Sequence, residues 1–201
     1  MDATAFPNLS RYLSLLPAGL DSYPDCRSKG ILLRSSVKEV PWDASWETLP
    51  EPIVDSMRDP PLPTAWVSTV LTNAAHLAVA DAHHPTAHAL LSWNYERTMK
   101  ATASPMYRMI TRVAGLKNFL RGAVKVHALF QQGTDLSISF QQETRARVLL
   151  EHPPHLHGGH VHLANEAVFA AALDASGARS SSVKMIESSA RRAVYDVQWE
   201  W

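Results

Sequence analysis

The chain has 201 residues, nineteen basic and nineteen acidic side chains, and a single cysteine, Cys26. The length suits one compact unit with a well-buried core. The balanced charge argues against a dedicated nucleic-acid binder, and one cysteine excludes an internal disulfide or a thiolate-rich metal centre. No apolar run approaches the about 18 residues a membrane span requires, and nothing resembles an export signal, so a cytoplasmic protein is expected.

Residues 1–63 read as an irregular, partly helical region, rich in proline, packed on a domain formed by residues 64–201. The run Asp59-Pro60-Pro61-Leu62-Pro63 is stiff and non-helical. Thr64 is a candidate cap for a helix in which Trp66, Val70, Ala74, Leu77 and Ala78 recur at helical spacing until His83-His84-Pro85. A second helix carries Ala87, Leu90, Leu91, Asn94, Tyr95 and Thr98 on one side. Ser104-Pro105 opens a further helical stretch whose halves disagree about the apolar face. Met106, Met109, Ile110 and Val113 point one way, and Leu116, Phe119, Leu120, Ala123 and Val126 point about a quarter-turn away, which places a break at Gly115.

After Gln131-Gln132-Gly133 the period changes to two. Leu136, Ile138 and Phe140 alternate with polar residues, and beyond a turn near Gln142-Glu143, Ala146, Val148 and Leu150 alternate with Arg145 and Arg147. This predicts a hairpin with Phe140 and Val148 buried and the two arginines in solvent. A helix from about His160 to Ala175 follows, ended by Gly177, and then two strands, Val183–Ser188 and Ala193–Trp199, with Tyr195 and Val197 facing inward. The order of elements gives an α/β (α+β) fold with a helical layer on one face of a small, mainly antiparallel sheet.

Residues 152–162 hold five of the ten histidines. His155, His157 and His160 have the offsets of the metallo-β-lactamase motif, but its aspartate position is Gly159 and too little chain follows for the remaining ligands. His160, His162 and Glu166 outline a cupin motif, yet cupin ligands lie on strands and this segment reads as a helix. Pro153-Pro154 and Gly158-Gly159 mark an exposed connection, so His155, His157, His160 and His162 are expected not to converge on one ion; zinc held by these four is the alternative. The sequence contains no GxGxxG, GxxxxGK, GxSxG or HExxH motif, and no catalytic residue is assigned.

Between Arg97 and Thr134 there are seven basic residues and no acidic one. Lys117, Arg121 and Lys125 share one helical stripe, a face suited to an acidic protein partner, phosphate groups or anionic lipid. Trp93, Tyr95, Met106, Tyr107, Met109, Phe119 and His127 crowd the helical half with large or polarizable groups.

The segments Ala170-Ala-Ala-Leu-Asp-Ala-Ser-Gly-Ala-Arg179, Val183-Lys-Met-Ile-Glu and Arg192-Ala-Val-Tyr-Asp-Val-Gln-Trp199 follow that order of elements. Over residues 64–199 the chain resembles a myxobacterial paralogous family of unknown function. That family is similar to the ligand-binding superfamily of the 4-vinyl reductase domain, the haem-nitric-oxide-binding domain and the TRAPP vesicle-tethering subunits. The resemblance implies helices packed on an antiparallel sheet, frequent homodimers, and an apolar pocket between the layers. Trp93, Tyr95, Tyr107, Met109, Phe119 and His127 are then its candidate lining, bounded by the helices of residues 86–130 and the hairpin of 134–150. The haem-binding branch carries a Tyr-x-Ser-x-Arg signature that is absent here, and the zinc of the phenol-sensing branch is held by cysteines that this chain lacks. No cofactor is therefore expected. The functional expectation is a non-enzymatic regulatory module that binds a hydrophobic small molecule or a protein; the alternative is a metal-dependent enzyme or metal sensor built on the histidine loop.

Overall fold

A computed structural model describes residues 4–38, 40–102 and 115–200, with side chains from Gly122 onward in the helix that opens at Gly115. The amino-terminal third builds three short helices, α1 (Pro7–Leu15), α2 (Gly30–Val37) and α3 (Glu51–Arg58). Proline in the first turn of α1 and α3 supplies a preset φ where no backbone donor is needed. No local side chain caps α1. Instead Asp81, far along the chain, accepts from the backbone N–H of both Asn8 and Leu9 at 3.0 Å, which satisfies two orphan donors at the positive end of the helix.

The helix expected after Thr64 begins later. Trp66–Ser68 is a strand, β2, and Ser68 is the cap of α4 (Thr69–His83), its hydroxyl accepting from Leu71 N at 3.3 Å. β2 pairs with β1 (Arg27–Lys29), which pairs in turn with β3 (Gln131–Gln132), making a small antiparallel sheet. Strands of two or three residues carry no readable alternation, so this sheet leaves no signal in the sequence. α4 is buried on almost every side and is the centre of the helical core. Phe6, Leu9, Leu33, Trp46 and Ile53 pack around it.

Gly133, just after β3, has φ +75°, and a Cβ there would lie 2.6 Å from Cys26 Sγ and 3.0 Å from Cys26 Cα. Both the left-handed backbone and the close approach require glycine. Gly133→Ala is expected to cost about 2 kcal/mol, combining the left-handed penalty with overpacking. Urea denaturation checks it, and a loss under about 0.5 kcal/mol would show that the neighbourhood yields.

α5 (Ala87–Thr102) and α6 (Gly115–Phe130) lead into the larger sheet. The start of α6 coincides with the break expected at Gly115; the stretch before it lies outside the described residues. β4 (Asp135–Gln142), β5 (Arg145–Glu151), β6 (Ser180–Ser188) and β7 (Arg192–Glu200) form an antiparallel sheet in the order β4-β5-β7-β6, with α7 (Gly159–Ala175) packed on one face. The fold is α+β, as the order of elements predicts. Its register lines the alternating apolar residues into rows, Leu136–Leu150–Ala193 and Ile138–Val148–Tyr195.

Val148, Tyr195 and Val197 are buried as expected. Phe140 is not: it is 37% exposed, because it sits on the edge strand where the pairing slips between Phe140 and Gln142. Arg147 reaches solvent, while Arg145 is partly covered and bonds Asp196 through Nε at 2.9 Å. Among the described residues, no helix is long and apolar enough to cross a membrane.

Candidate functional site

The loop between β5 and α7 is far from the loose, solvated connection its prolines and glycines suggest. Leu156 is fully buried in the helical core, and its carbonyl accepts from Tyr12 Oη at 2.9 Å and Asn73 Nδ2 at 2.8 Å. Tyr23 Oη donates to Pro154 O at 2.8 Å, and the backbone N–H groups of His152 and His155 donate to the carbonyls of Arg191 and Ala190. The loop is pinned between the helical body and the β6–β7 turn. As a result His152, His157 and His162 are buried, which corrects the expectation of exposed imidazoles.

Partners fix the tautomers of this group. His152 Nδ1 lies 2.8 Å from Pro153 O, which can only accept, so Nδ1 carries the proton and Nε2 is bare. That Nε2 is 2.8 Å from His162 Nε2, which must therefore donate, leaving His162 Nδ1 to accept from Ser188 Oγ at 2.8 Å. The relay runs Ser188 to His162 to His152 to Pro153, with every ring neutral. Asn73 Nδ2, oriented by Leu156 O, donates to His157 Nδ1 at 3.2 Å, so the buried, unpartnered His157 Nε2 is an N–H donor with no lone pair to offer a metal. Burial first, then neighbouring histidines, lower the proton affinity of His162 to about 4 and hold His157 well below the ordinary value. Of the four histidines considered for metal, His157 and His162 come together, with His152 as the unforeseen third. His155 and His160 stand outside this hydrogen-bonded group. Among the described residues no set of three or more His, Cys, Asp or Glu side chains is placed to hold an ion.

A second polar group joins α2, α4 and α5. Ser36 Oγ donates to Leu32 O at 3.2 Å, receives a short hydrogen bond from Arg97 Nη1, and lies 3.5 Å from His76 Nδ1. The serine proton is committed to the nearer carbonyl, so His76 Nδ1 is the donor and His76 Nε2 holds a free lone pair. That Nε2 is buried and has no protein partner. Trp93 stacks with His76 at 4.8 Å and with His84 at 4.6 Å. Burial, followed by the nearby Arg97, keeps His76 neutral, well below its ordinary value. No local pattern marks Ser36 or His76 for this role, and Arg97 stands out in the sequence only at the head of the basic run. The available signal was a polar residue on an otherwise apolar helix face, as at Asn73 and His76 of α4.

Of the residues expected to line one pocket, the three that are described, Trp93, Tyr95 and His127, have separate partners. Trp93 belongs to the His76 group. Tyr95 Oη donates to Asp174 Oδ2 at 2.7 Å, tying α5 to α7, and His127 Nε2 is 2.9 Å from Thr134 Oγ1. Tyr107 and Met109 lie outside the described residues, as do the side chains of Lys117, Phe119 and Arg121; Lys125 is exposed. A cleft of about 400 Å³ opens between α5 and α7, lined by Leu91, Tyr95, Glu96, Glu166, Ala170 and Val183 among others. The hairpin of 134–150 takes no part in it.

No protein-family model matches the sequence, and no curated protein matches it. Solved structures share its fold. One, described as modulating haem redox potential through protein-induced porphyrin distortion, superposes with a TM-score of 0.56 at 12% identity, covering 85% of this chain and 99% of that one. The Fe(II) unliganded H-NOX protein from K. algicida gives a TM-score of 0.55 at 9% identity, covering 86% and 97%. A mutant T. tengcongensis H-NOX gives 0.53 at 10% identity, covering 98% of each. At these identities the likeness concerns architecture: the chain has the H-NOX fold. The expectation of no cofactor is corrected by these neighbours, two of which are described by the haem they carry.

Proposed function

We propose that this chain is a small-molecule-binding sensor module of the H-NOX fold whose cofactor is haem, with His76 as the imidazole that faces the iron. The observation that carries this is His76 Nε2, a buried lone pair with no protein partner on a ring whose other nitrogen is held by Ser36. Haem iron is commonly held by one histidine, and a ligating histidine characteristically donates its second N–H to a neighbouring acceptor. His76 meets both conditions. His157, equally buried, fails the first because its free nitrogen bears the proton. The haem branch's Tyr-x-Ser-x-Arg signature is absent, so the periphery of the group must be held by other residues. Bound haem would supply an iron able to take a diatomic gas; the chain's own part is to orient the imidazole and shield it from water.

Apo-protein titrated with hemin is expected to develop a Soret band that saturates at one haem per chain. His76→Ala should abolish it, and Ser36→Ala should weaken affinity about ten- to a hundredfold. A band that survives in His76→Ala but is lost in His157→Ala would overturn the assignment.

A further inference from the structure

The cleft between α5 and α7, about 400 Å³ in volume, is large enough for a ligand, since small-molecule sites run from about 300 to 1,000 Å³. Its space has a cause in the sequence. Ala167 and Ala170, one turn apart on α7, put only methyl groups into it, while Leu91 of α5 and Val183 of β6 supply the larger apolar surface. The wall is braced. Tyr95 Oη donates to Asp174 Oδ2 at 2.7 Å and Ser181 Oγ to Asp174 Oδ1 at 2.7 Å, so the Tyr95 ring is held where it borders the cleft and α5 is tied to α7 and β6.

The charge of the lining is one-sided. It carries two carboxylates, Glu96 and Glu166, one imidazole, His88, and among the described residues no lysine or arginine. Glu166 is half-buried, and its Oε1 accepts a short hydrogen bond from Met185 N on the edge strand β6. That bond orients the carboxylate and leaves Oε2 able to accept from a ligand. Glu96 is exposed, and among the described residues no cation pairs with either acid. Water satisfies an exposed carboxylate, so the acids alone would call for nothing. A floor of Leu91, Ala167, Ala170 and Val183 gains nothing from water, and a molecule with an apolar body and a cationic head complements floor and charge together.

We propose that the α5–α7 cleft binds a small amphipathic amine: its ammonium donates to Glu166, Glu96 adds to the attraction, and its apolar body lies on Leu91, Ala170 and Val183 beside the Tyr95 ring. The cleft shares no lining residue with the group of Ser36, His76 and Arg97, so this site is separate from the haem reading and does not depend on it.

Isothermal titration of the full chain with phenethylamine hydrochloride tests the proposal, with neutral 2-phenylethanol and anionic phenylacetate as comparisons. The ammonium is expected to bind at a single site, at least about tenfold more tightly than the alcohol, and phenylacetate is expected not to bind. Added salt should weaken the ammonium and leave the alcohol unchanged. Glu166→Gln removes the charge yet keeps an oxygen for Met185 N, and should weaken the ammonium at least about fivefold without affecting the alcohol; Glu96→Gln should weaken it about twofold. Ala170→Leu fills the floor and should abolish binding of both. The glutamine variants decide the matter if the leucine variant does not fold. Equal affinity for ammonium and alcohol, an ammonium affinity unchanged in Glu166→Gln, or binding that survives in a folded Ala170→Leu would each overturn the proposal. So would the absence of saturable binding by phenethylamine, tryptamine and cyclohexylamine alike. Ammonium binding retained in folded His76→Ala, the variant expected to lose the Soret band, supports a site distinct from the haem, and its loss there would overturn that separation.

Discussion

Leu156→Ala is expected to lower the free energy of unfolding by about 3–5 kcal/mol, in the range of fully buried leucines whose cavity cannot collapse. The position is in a loop, where such a loss is unusual. Leu156 is nonetheless fully buried and belongs to the same apolar cluster as Tyr12, Val70 and Leu77, so its side chain is the plug that seats the histidine loop in the helical core. Its carbonyl also organises Tyr12 and Asn73, and Asn73 in turn sets the proton on His157. Urea denaturation should show a lower midpoint with an unchanged slope, since the surface exposed on unfolding is nearly the same. A loss below about 1 kcal/mol would mean that the loop is seated by its hydrogen bonds and not by this side chain.

That loop also shows where sequence reading stopped. The larger sheet was legible because alternation is a local property: Leu136, Ala146, Val148, Leu150, Ala193, Tyr195 and Val197 repeat every second residue, and all seven are buried. Phe140 obeys the same alternation and fails because edge position and a slipped register are properties of the pairing. β1 to β3 were too short to have a period, and the cap on α1 comes from Asp81, which no local pattern announces.

For the histidines, residue types were visible and roles were not. Pro153, Pro154, Gly158 and Gly159 correctly marked a turn, yet whether a turn is solvated depends on what packs over it, here Tyr12, Tyr23 and Asn73. The partner that decides the tautomer of His157 is 84 positions away, and that of His162 is His152, ten positions back, whose own proton is set by a carbonyl. His76 was hidden differently, inside an alanine-rich helix that reads as plain core. The cofactor expectation failed because it was tied to a signature, whereas the architecture is shared at identities near 10%. A fold tolerates that divergence, and a ligand set does not.

Acidification from pH 6.5 to pH 4 is expected to cost the fold about 3 kcal/mol through His162 alone. The sign follows from where the proton goes. In the native state His162 takes a proton only near pH 4, because burial and then the adjacent His152 oppose the charge, whereas in the unfolded chain it does so near its ordinary 6.5. Between those values the unfolded state binds more protons, so stability falls as pH falls through 6.5, and the loss is complete below about 4. His152, His157 and His76 are lowered as well, each chiefly by burial, and act in the same direction. Asp43 and Asp196, whose carboxyls are held below their ordinary 3.8 by hydrogen bonds from Ser45 and Arg145, lose their contribution only at lower pH, which leaves this window to the histidines. The structural cause is the 2.8 Å approach of two Nε2 atoms: with one proton between them the relay closes, and with two it is forced apart. Unfolding midpoints in urea at half-unit pH steps should decline steadily across the window, and His162→Gln should flatten the decline while lowering stability at neutral pH. Midpoints that stay level from pH 6.5 to 4 would show that the pair opens to water and takes up its proton without strain.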